Sequence, residues 1–362
     1  MTDLEKARLT INEVDREMCR LFEERMNAVK TVAAYKQAHG LPVDDFAREE
    51  EMIKRNSKLL SDEELRSYYV NFLRASIDVS KKFQHKLLDG MRVAYSGVAG
   101  AFANIVAKRI FPDAAAVPYP DFKSAYKACE DGDCDVVLLP IENSQNGDVG
   151  NVMDLAFFGS LFINGIYEAE IVQNLIAPKG ATLSTVKKVI SHPQALGQCA
   201  AFIEKHGFET EESVNTAVAA EYVAKLGSVE VAAIGSVEAC EQFGLTKIES
   251  HINEASNNTT RFAVFSRARR SPSPKDKHFI TVFTVKNEAG SLGRAISVIG
   301  EHGFNLKALK SRPTKELIWD YYFYAEGEGD LYSDNGEVMR RRLKECCSHF
   351  KVLGTYEKEL KV

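Results

Sequence analysis

The sequence predicts a multidomain chain with three fold classes in succession: all-α, then α/β, then α+β of ferredoxin-like order. Three observations carry this. Residues 4–38 hold no proline or glycine and repeat apolar residues at three- and four-residue steps. From Arg92 short β-branched runs alternate with helical stretches, the pattern of parallel α/β sheets. After a polar, basic stretch at 267–277 the order becomes strand, helix, strand, strand, helix, strand. The expected boundaries are 1–90 helical, 91–267 α/β, 268–277 linker and 278–362 α+β. At 362 residues the chain is long enough for two to three cores.

In the first segment Ile11, Val14, Met18, Leu21, Ala28 and Val32 form the apolar stripe. A helix over 4–38 would run about 50 Å, longer than a small domain is wide, so its stripe needs a second chain and a homodimer is expected. His39-Gly40-Leu41-Pro42 ends it. Further helices are expected over 44–58 and 62–88, the latter with a capped start at Ser61-Asp62-Glu63-Glu64. Arg25 breaks the pattern by falling on the stripe, and Lys36 points to the same side eleven residues later. A buried guanidinium needs an anionic partner. Two partners fit: an internal carboxylate such as Glu49, or an anionic ligand.

In the second segment strands are expected at 92–95, 136–139, 186–190 and 231–234, with helices at 101–110, 122–131, 195–206 and 215–226. This length makes one large lobe or two with a cleft. Two polar pentads adjoin strands: Pro140-Ile141-Glu142-Asn143-Ser144 and Asn258-Thr259-Thr260-Arg261-Phe262. They read either as polar strand caps or as one cleft assembled from distant segments. His192, before a proline, suits a turn. The stretch RARRSPSPKDK at 267–277 reads as a solvated linker rather than a nucleic-acid patch. The third segment is expected as strand 279–285, helix 290–302, strands 305–312 and 317–325, helix 335–349 and strand 351–357.

Composition narrows the class. A net charge of −5 argues against general nucleic-acid binding. The start Met1-Thr2-Asp3-Leu4-Glu5 lacks a secretory pattern, and no apolar run approaches about 18 residues. Seven scattered cysteines suit no closed disulfide framework, and no Cys-x-x-Cys or His-Glu-x-x-His suggests zinc. A cytoplasmic protein without membrane contact is expected.

Specific motifs add resemblances. Gly97-Val98-Ala99-Gly100-Ala101-Phe102, the Glu142 pentad, Ser191-His192-Pro193-Gln194 and Thr260-Arg261-Phe262 together resemble the prephenate dehydratase family. This implies a two-lobed α/β domain, similar to periplasmic binding proteins, that turns prephenate into phenylpyruvate with loss of water and CO2. Thr260 would then meet the leaving hydroxyl, with Arg261 and Phe262 beside it. Asn143, Ser144 and Gln194 would orient substrate, and Glu142 would supply the proton if burial raised its pKa. Val98, Ala101 and Ala103 depart from the family's usual proline and hydroxyl residues. That bears on substrate affinity and on the choice between prephenate and arogenate.

Arg8, Arg25, Lys36, Asp45, Arg48, Glu49, Ser80 and Gln84 match the active-site pattern of the all-helical chorismate mutase family. By that resemblance Arg8 from the partner chain, Arg25 and Arg48 bind the polar groups of chorismate. Lys36 and Gln84 donate to the ether oxygen, Asp45 and Glu49 hold the ring hydroxyl, and Ser80 lines the site. The rearrangement needs no cofactor. The third segment resembles ACT-type regulatory domains that sense amino acids. Gly290, Ser291 and Leu292, with Asn305, Leu306, Ser311 and Arg312, would bind phenylalanine as effector. Ser291, Gly293 and Lys310 depart from the usual motifs. The expected function is bifunctional: chorismate to prephenate, then prephenate to phenylpyruvate, under phenylalanine feedback. The competing readings are a non-catalytic two-lobed sensor with a helical dimerisation arm, a dehydratase with a vestigial mutase, and an arogenate-using dehydratase.

Overall fold

The structure, a computed structural model, describes residues 1–254, 257–314 and 320–362. It divides into two units, Met1–Arg92 and Val93–Val362. The first is three helices: α1 (Asp3–His39), α2 (Phe46–Ser57) and α3 (Arg66–Asp89). A capping box between Thr2 and Glu5 starts α1. Gly40, in the left-handed region at φ 63°, ends it. The capped start expected at Ser61–Glu64 is not found. Asp62 instead accepts the Glu64 N–H at 2.9 Å, closing a local turn, and α3 begins at Arg66 without a side-chain cap. The core of this unit is small, built on Ile53, Leu73 and Ile77. On α1 only Ala33 is buried, and the stripe stays open, with Ile11 58% and Leu21 48% exposed.

In the second unit the strands begin with β1 (Arg92–Ser96), β2 (Ala115–Tyr119), β3 (Val136–Asn143), β4 (Gly147–Asp148), β5 (Phe162–Glu170), β6 (Asn174–Ala177), β7 (Lys188–Ser191) and β8 (Glu209–Glu212). They continue with β9 (Val231–Gly235), β10 (Thr246–Glu249), β11 (Thr259–Ser266), β12 (His278–Thr284), β13 (Asn305–Pro313), β14 (Tyr321–Glu328), β15 (His349–Tyr356) and β16 (Leu360–Lys361). Helices α4 (Phe102–Ile110), α5 (Phe122–Asp131), α6 (Gly150–Phe158), α7 (Pro193–Gln198), α8 (Ala200–His206), α9 (Thr216–Leu226), α10 (Val237–Gln242), α11 (Ser291–Glu301) and α12 (Asp334–Cys346) connect them. The helix expected over 195–206 is two, α7 and α8, meeting at Cys199. Residues 317–319 of the expected strand 317–325 lie outside the described residues.

Three sheets result. One has the order β16-β5-β11-β3-β1-β2 with β4 on β3, a second β10-β6-β9-β7-β8, and a third β13-β14-β12-β15. The first two form separate lobes, because the chain leaves β5 for β6 and returns from β10 to β11. The third is the expected βαββαβ sandwich, with α11 and α12 packed over Phe279, Phe283 and Ala325. Its other face is not solvated. Ile280, Val282, Tyr324, Leu353 and Tyr356 share one core with Ile163, Ile166 and Phe265 of the first sheet. Each such buried side chain contributes about 2 kcal/mol, so the third sheet is welded to the first lobe rather than tethered. At Gly354 a Cβ would lie 1.9 Å from the Ile163 carbonyl oxygen, so only glycine permits this approach.

The linker is solvated along most of its length, as expected, but is pinned at particular residues. Arg267 Nη1 donates to the Cys134 carbonyl at 2.8 Å, and Asn164 receives the Arg270 N–H at 2.8 Å. Arg270 pairs with buried Asp276 at 2.6 Å. The Arg267 charge thus fixes the chain to the first lobe, while that of Arg270 is spent on Asp276 and on the Thr355 carbonyl of β15. No helix among the described residues is long and apolar enough to cross a membrane.

Candidate active sites

Between the two lobes lies a cleft of about 690 Å³, lined among others by Asn143, Gln173, Gln194, Gln198, Thr260 and Phe262. The two polar pentads meet here: β11 runs antiparallel to β3 and pairs Thr260 with Asn143. Asn143 cannot turn its amide over. Its Oδ1 accepts the backbone N–H groups of Gln145 and Asn146, both at 3.0 Å, and those donors are fixed by the chain. Its Nδ2 therefore donates to Thr260 Oγ1 at 2.9 Å and to Asn258 Oδ1 at 3.0 Å. Thr260, 8% exposed, has its oxygen occupied as acceptor, leaving its O–H to donate into the cleft. The same polarity runs on: Asn258 Nδ2 and Gln173 Nε2 both donate to Gln198 Oε1, at 3.1 and 3.3 Å.

The cleft also gathers helix starts. α4 begins with Ala101-Phe102-Ala103 and α6 with Val149-Gly150-Asn151, and all six residues line the cleft. Neither helix has a side-chain cap, so their first N–H groups are free for an anion. The alanines that replace the family's hydroxyl residues thus leave a backbone site in place. Phe262 and Gln194 line the cleft as expected. His192 lines it and also caps α7, its Nδ1 accepting the Gln194 N–H at 3.2 Å.

Three expectations need correction. Arg261 does not face the cleft, because neighbours on a strand point to opposite sides. Its guanidinium binds Glu142 at 2.7 Å, Glu326 at 2.8 Å and Glu359 at 2.7 Å. Glu142 shares that far face and is not a raised-pKa acid. Burial pushes its carboxyl up, but bonds from Lys310 and Arg261 outweigh this and hold it below its ordinary value. Ser144 is spent on its own neighbourhood: its hydroxyl donates to the Asn257 carbonyl at 2.8 Å and accepts the Thr259 N–H at 3.0 Å. Sequence reasoning missed Gln173 and Gln198, which no motif marks. It also missed that Arg312 reaches this cleft.

Residues 93–270 match the family model for prephenate dehydratase, and residues 7–85 that for chorismate mutase type II. An arogenate dehydratase 2 of Petunia hybrida is 33% identical over 74% of this chain and 71% of its own length. The chain belongs to the prephenate dehydratase family. A bifunctional chorismate mutase/prephenate dehydratase of Aquifex aeolicus is 29% identical over 99% of both chains. The solved prephenate dehydratase of Arthrobacter aurescens in complex with L-Phe superposes with a TM-score of 0.68. It is 24% identical and covers 74% of this chain and 90% of its own.

The chain carries its mutase-type residues on the helical unit. Arg25 donates through Nη1 to Ser80 Oγ and has no carboxylate partner among the described residues, while Glu49 pairs with Lys81 instead. Burial without a counter-charge lowers its pKa. Gln84, one turn beyond Ser80, is 6% exposed with its Oε1 unpartnered. Lys36 Nζ donates to the Val43 carbonyl at 2.7 Å. The Asp45 carboxylate caps α2 at the Arg48 N–H, 3.1 Å away, and the Arg48 side chain is exposed. Glu49 pairs with Lys81 at 3.2 Å, a lysine no motif singled out. Arg8 lies seventeen residues before Arg25 on one helix, about 25 Å away.

The expected effector residues do not converge within one chain. Arg312 and Thr284 both align with Tyr322 of β14, so the start of α11 and the end of β13 share one end of the sheet. Gly290, Ser291 and Leu292 therefore lie toward the Ser311 end of the sheet, whereas Asn305 aligns with Glu328 at the other end. Asn305 and Leu306 lie roughly 16–23 Å from Ser311 and Arg312 along the strand. The Ser291 hydroxyl is buried and accepts from Arg294 at 2.8 Å. Arg312 is bound to Asp154 by two bonds, at 2.8 and 3.0 Å.

Proposed function

We propose that this chain is a bifunctional enzyme of phenylalanine biosynthesis, rearranging chorismate to prephenate on its helical unit and dehydrating prephenate in the cleft. The observation that carries the second activity is the Asn143–Thr260 pair, locked so that a hydroxyl proton points into a cleft with two uncapped helix starts. Prephenate brings two carboxylates and a ring hydroxyl. When the ring carboxylate leaves as CO2, its bonding pair aromatises the ring and expels the hydroxyl, which takes up one proton to become water. Thr260 hydrogen-bonds the departing oxygen as charge develops there. The proton comes from solvent in the cleft, since Glu142 faces away and is ionised. The helix starts of α4 and α6 hold the carboxylate ends.

For the rearrangement, the uncompensated Arg25 supports anion binding, and buried Gln84 beside Ser80 presents polar atoms to the same place. Arg8 is too distant to serve its own chain's site, so the site is completed in an intertwined dimer that covers the open stripe of α1. Effector binding follows the same logic. β13 is an edge strand, and a second copy laid antiparallel along it brings Asn305 of one chain to Ser311 of the other, forming the phenylalanine site across two subunits. The domain assignment is mutase 1–90, dehydratase 91–267 and ACT-type regulatory region 278–362.

The test is incubation of the purified chain with chorismate, then separately with prephenate and with arogenate, with and without phenylalanine. Formation of prephenate and phenylpyruvate, slowed by phenylalanine, is expected. Unchanged chorismate and prephenate with tight ligand binding would establish the sensor instead. Turnover of arogenate but not prephenate would reassign the substrate.

A further inference from the structure

The rung of sheet that carries Thr260 and Asn143 has a second face. Directly beside that pair, Arg261 is registered with Glu142, and the two are joined at 2.7 Å on the side away from the cleft. Among the described residues the salt-bridge partners of this pair, Lys310, Glu326 and Glu359, belong to the C-terminal part of the chain, while Glu168 of β5, in register with Arg261, bonds to Glu359. Glu326 of β14 takes Arg261 through both oxygens, at 3.2 and 2.8 Å. Glu326 is itself 2% exposed and held by the Tyr324 hydroxyl at 2.8 Å. Lys310 of β13 reaches Glu142 at 2.9 Å and also binds Asp148 on β4. Glu359 completes the ring of carboxylates around Arg261 at 2.7 Å.

Glu359 is delivered by a strap. Residues 360–361 add β16 as a parallel edge strand to β5, and the Val362 N–H donates to the Glu168 carbonyl at 2.9 Å. Buried ion pairs of this kind cost much of what they return in stability, so their presence needs a reason other than cohesion. The apolar core already joins the two sheets. The charged cluster instead grips one rung, and that rung bears the groups that face substrate.

We propose that Lys310, Glu326 and the tail residue Glu359 are positioning residues for dehydration, fixing the Asn143–Thr260 pair from the far face of the sheet through Arg261 and Glu142. The proposal rests on the reading of the cleft as the dehydratase site. It gives Lys310, a departure from the family's usual glutamate, a specific use: its charge is matched to Glu142 and Asp148. It also gives the strap at 359–362 a part in positioning the Asn143–Thr260 pair.

The test uses the full chain with Glu326→Gln, Glu359→Gln and Lys310→Met, beside the conservative Lys310→Arg and a chain ending at Lys358. Both kcat and KM for prephenate are measured, with thermal unfolding of the same preparations, compared with the native chain, as a check on folding of the Val93–Val362 unit. Loss of positioning is expected to lower dehydratase kcat by about 10- to 100-fold in Glu326→Gln, and by less in Glu359→Gln and the shortened chain. KM should stay within about twofold, and Lys310→Arg should keep most of the rate that Lys310→Met loses. Unchanged kcat in these variants, a change in KM alone, or equal loss in Lys310→Arg and Lys310→Met would overturn the proposal. A native chain that turns over no prephenate would instead overturn the dehydratase reading.

Discussion

Substituting Asn143 separates hydrogen-bond direction from mere presence. In the native chain Asn143 Oδ1 takes two backbone donors while Nδ2 serves Thr260 and Asn258. Asn143→Asp keeps the acceptor side, and those two N–H groups hold the new carboxylate ionised. The second oxygen then faces Thr260 Oγ1, so the Thr260 proton turns toward the carboxylate and away from substrate. Asn143→Ala removes both sides and leaves Thr260 free to turn either way. Stability should fall more in Asn143→Ala, which strands backbone donors as well as the two side-chain acceptors at about 1–3 kcal/mol per buried group. Rate should show the opposite order. Asn143→Asp should lose about 10²–10³ in dehydratase kcat, as for removal of a single transition-state donor, and Asn143→Ala nearer tenfold. Urea unfolding and steady-state turnover of prephenate measure the two quantities. If Asn143→Ala is both the less stable and the slower variant, the directional argument is wrong.

Further outcomes are expected. Arg25→Ala should abolish chorismate turnover and spare prephenate turnover. Mixing it with Arg8→Ala subunits should restore about a quarter of native mutase rate, since half of random dimers carry one intact site of two; no recovery would place Arg8 outside the site. Gly354→Ala should destabilise the Val93–Val362 unit by about 3 kcal/mol or more, because its Cβ meets the Ile163 carbonyl; a native-like melting curve would refute that. Glu142 titrates below its ordinary 4.5 in the folded state, so its stabilisation is present above that pH and lost as pH falls through the lower folded value. Glu142→Gln should therefore flatten acid unfolding below pH 4.5, and an unchanged acid profile would count against the ion pair.

The sequence by itself determined the local and the periodic. Helix spacing on residues 4–38, β-branched runs and the βαββαβ order mark elements within a few residues of where they lie, because these signals are carried by neighbours along the chain. It also marked Thr260 and Asn143 as polar groups at strand ends. Only the tertiary structure decided which face of that rung was which. Alternation puts Thr260 and Arg261 on opposite sides, but the second lobe covers one side and the C-terminal sheet the other, and sequence distance does not record that. Hence Arg261 and Glu142 were expected at substrate and stand behind it, while Arg312 was expected at an effector and reaches the cleft. Gln173, Gln198 and the strap at 359–362 act through partners up to about two hundred residues away in the chain. Their roles come from packing that brings such residues together, not from any pattern they carry themselves.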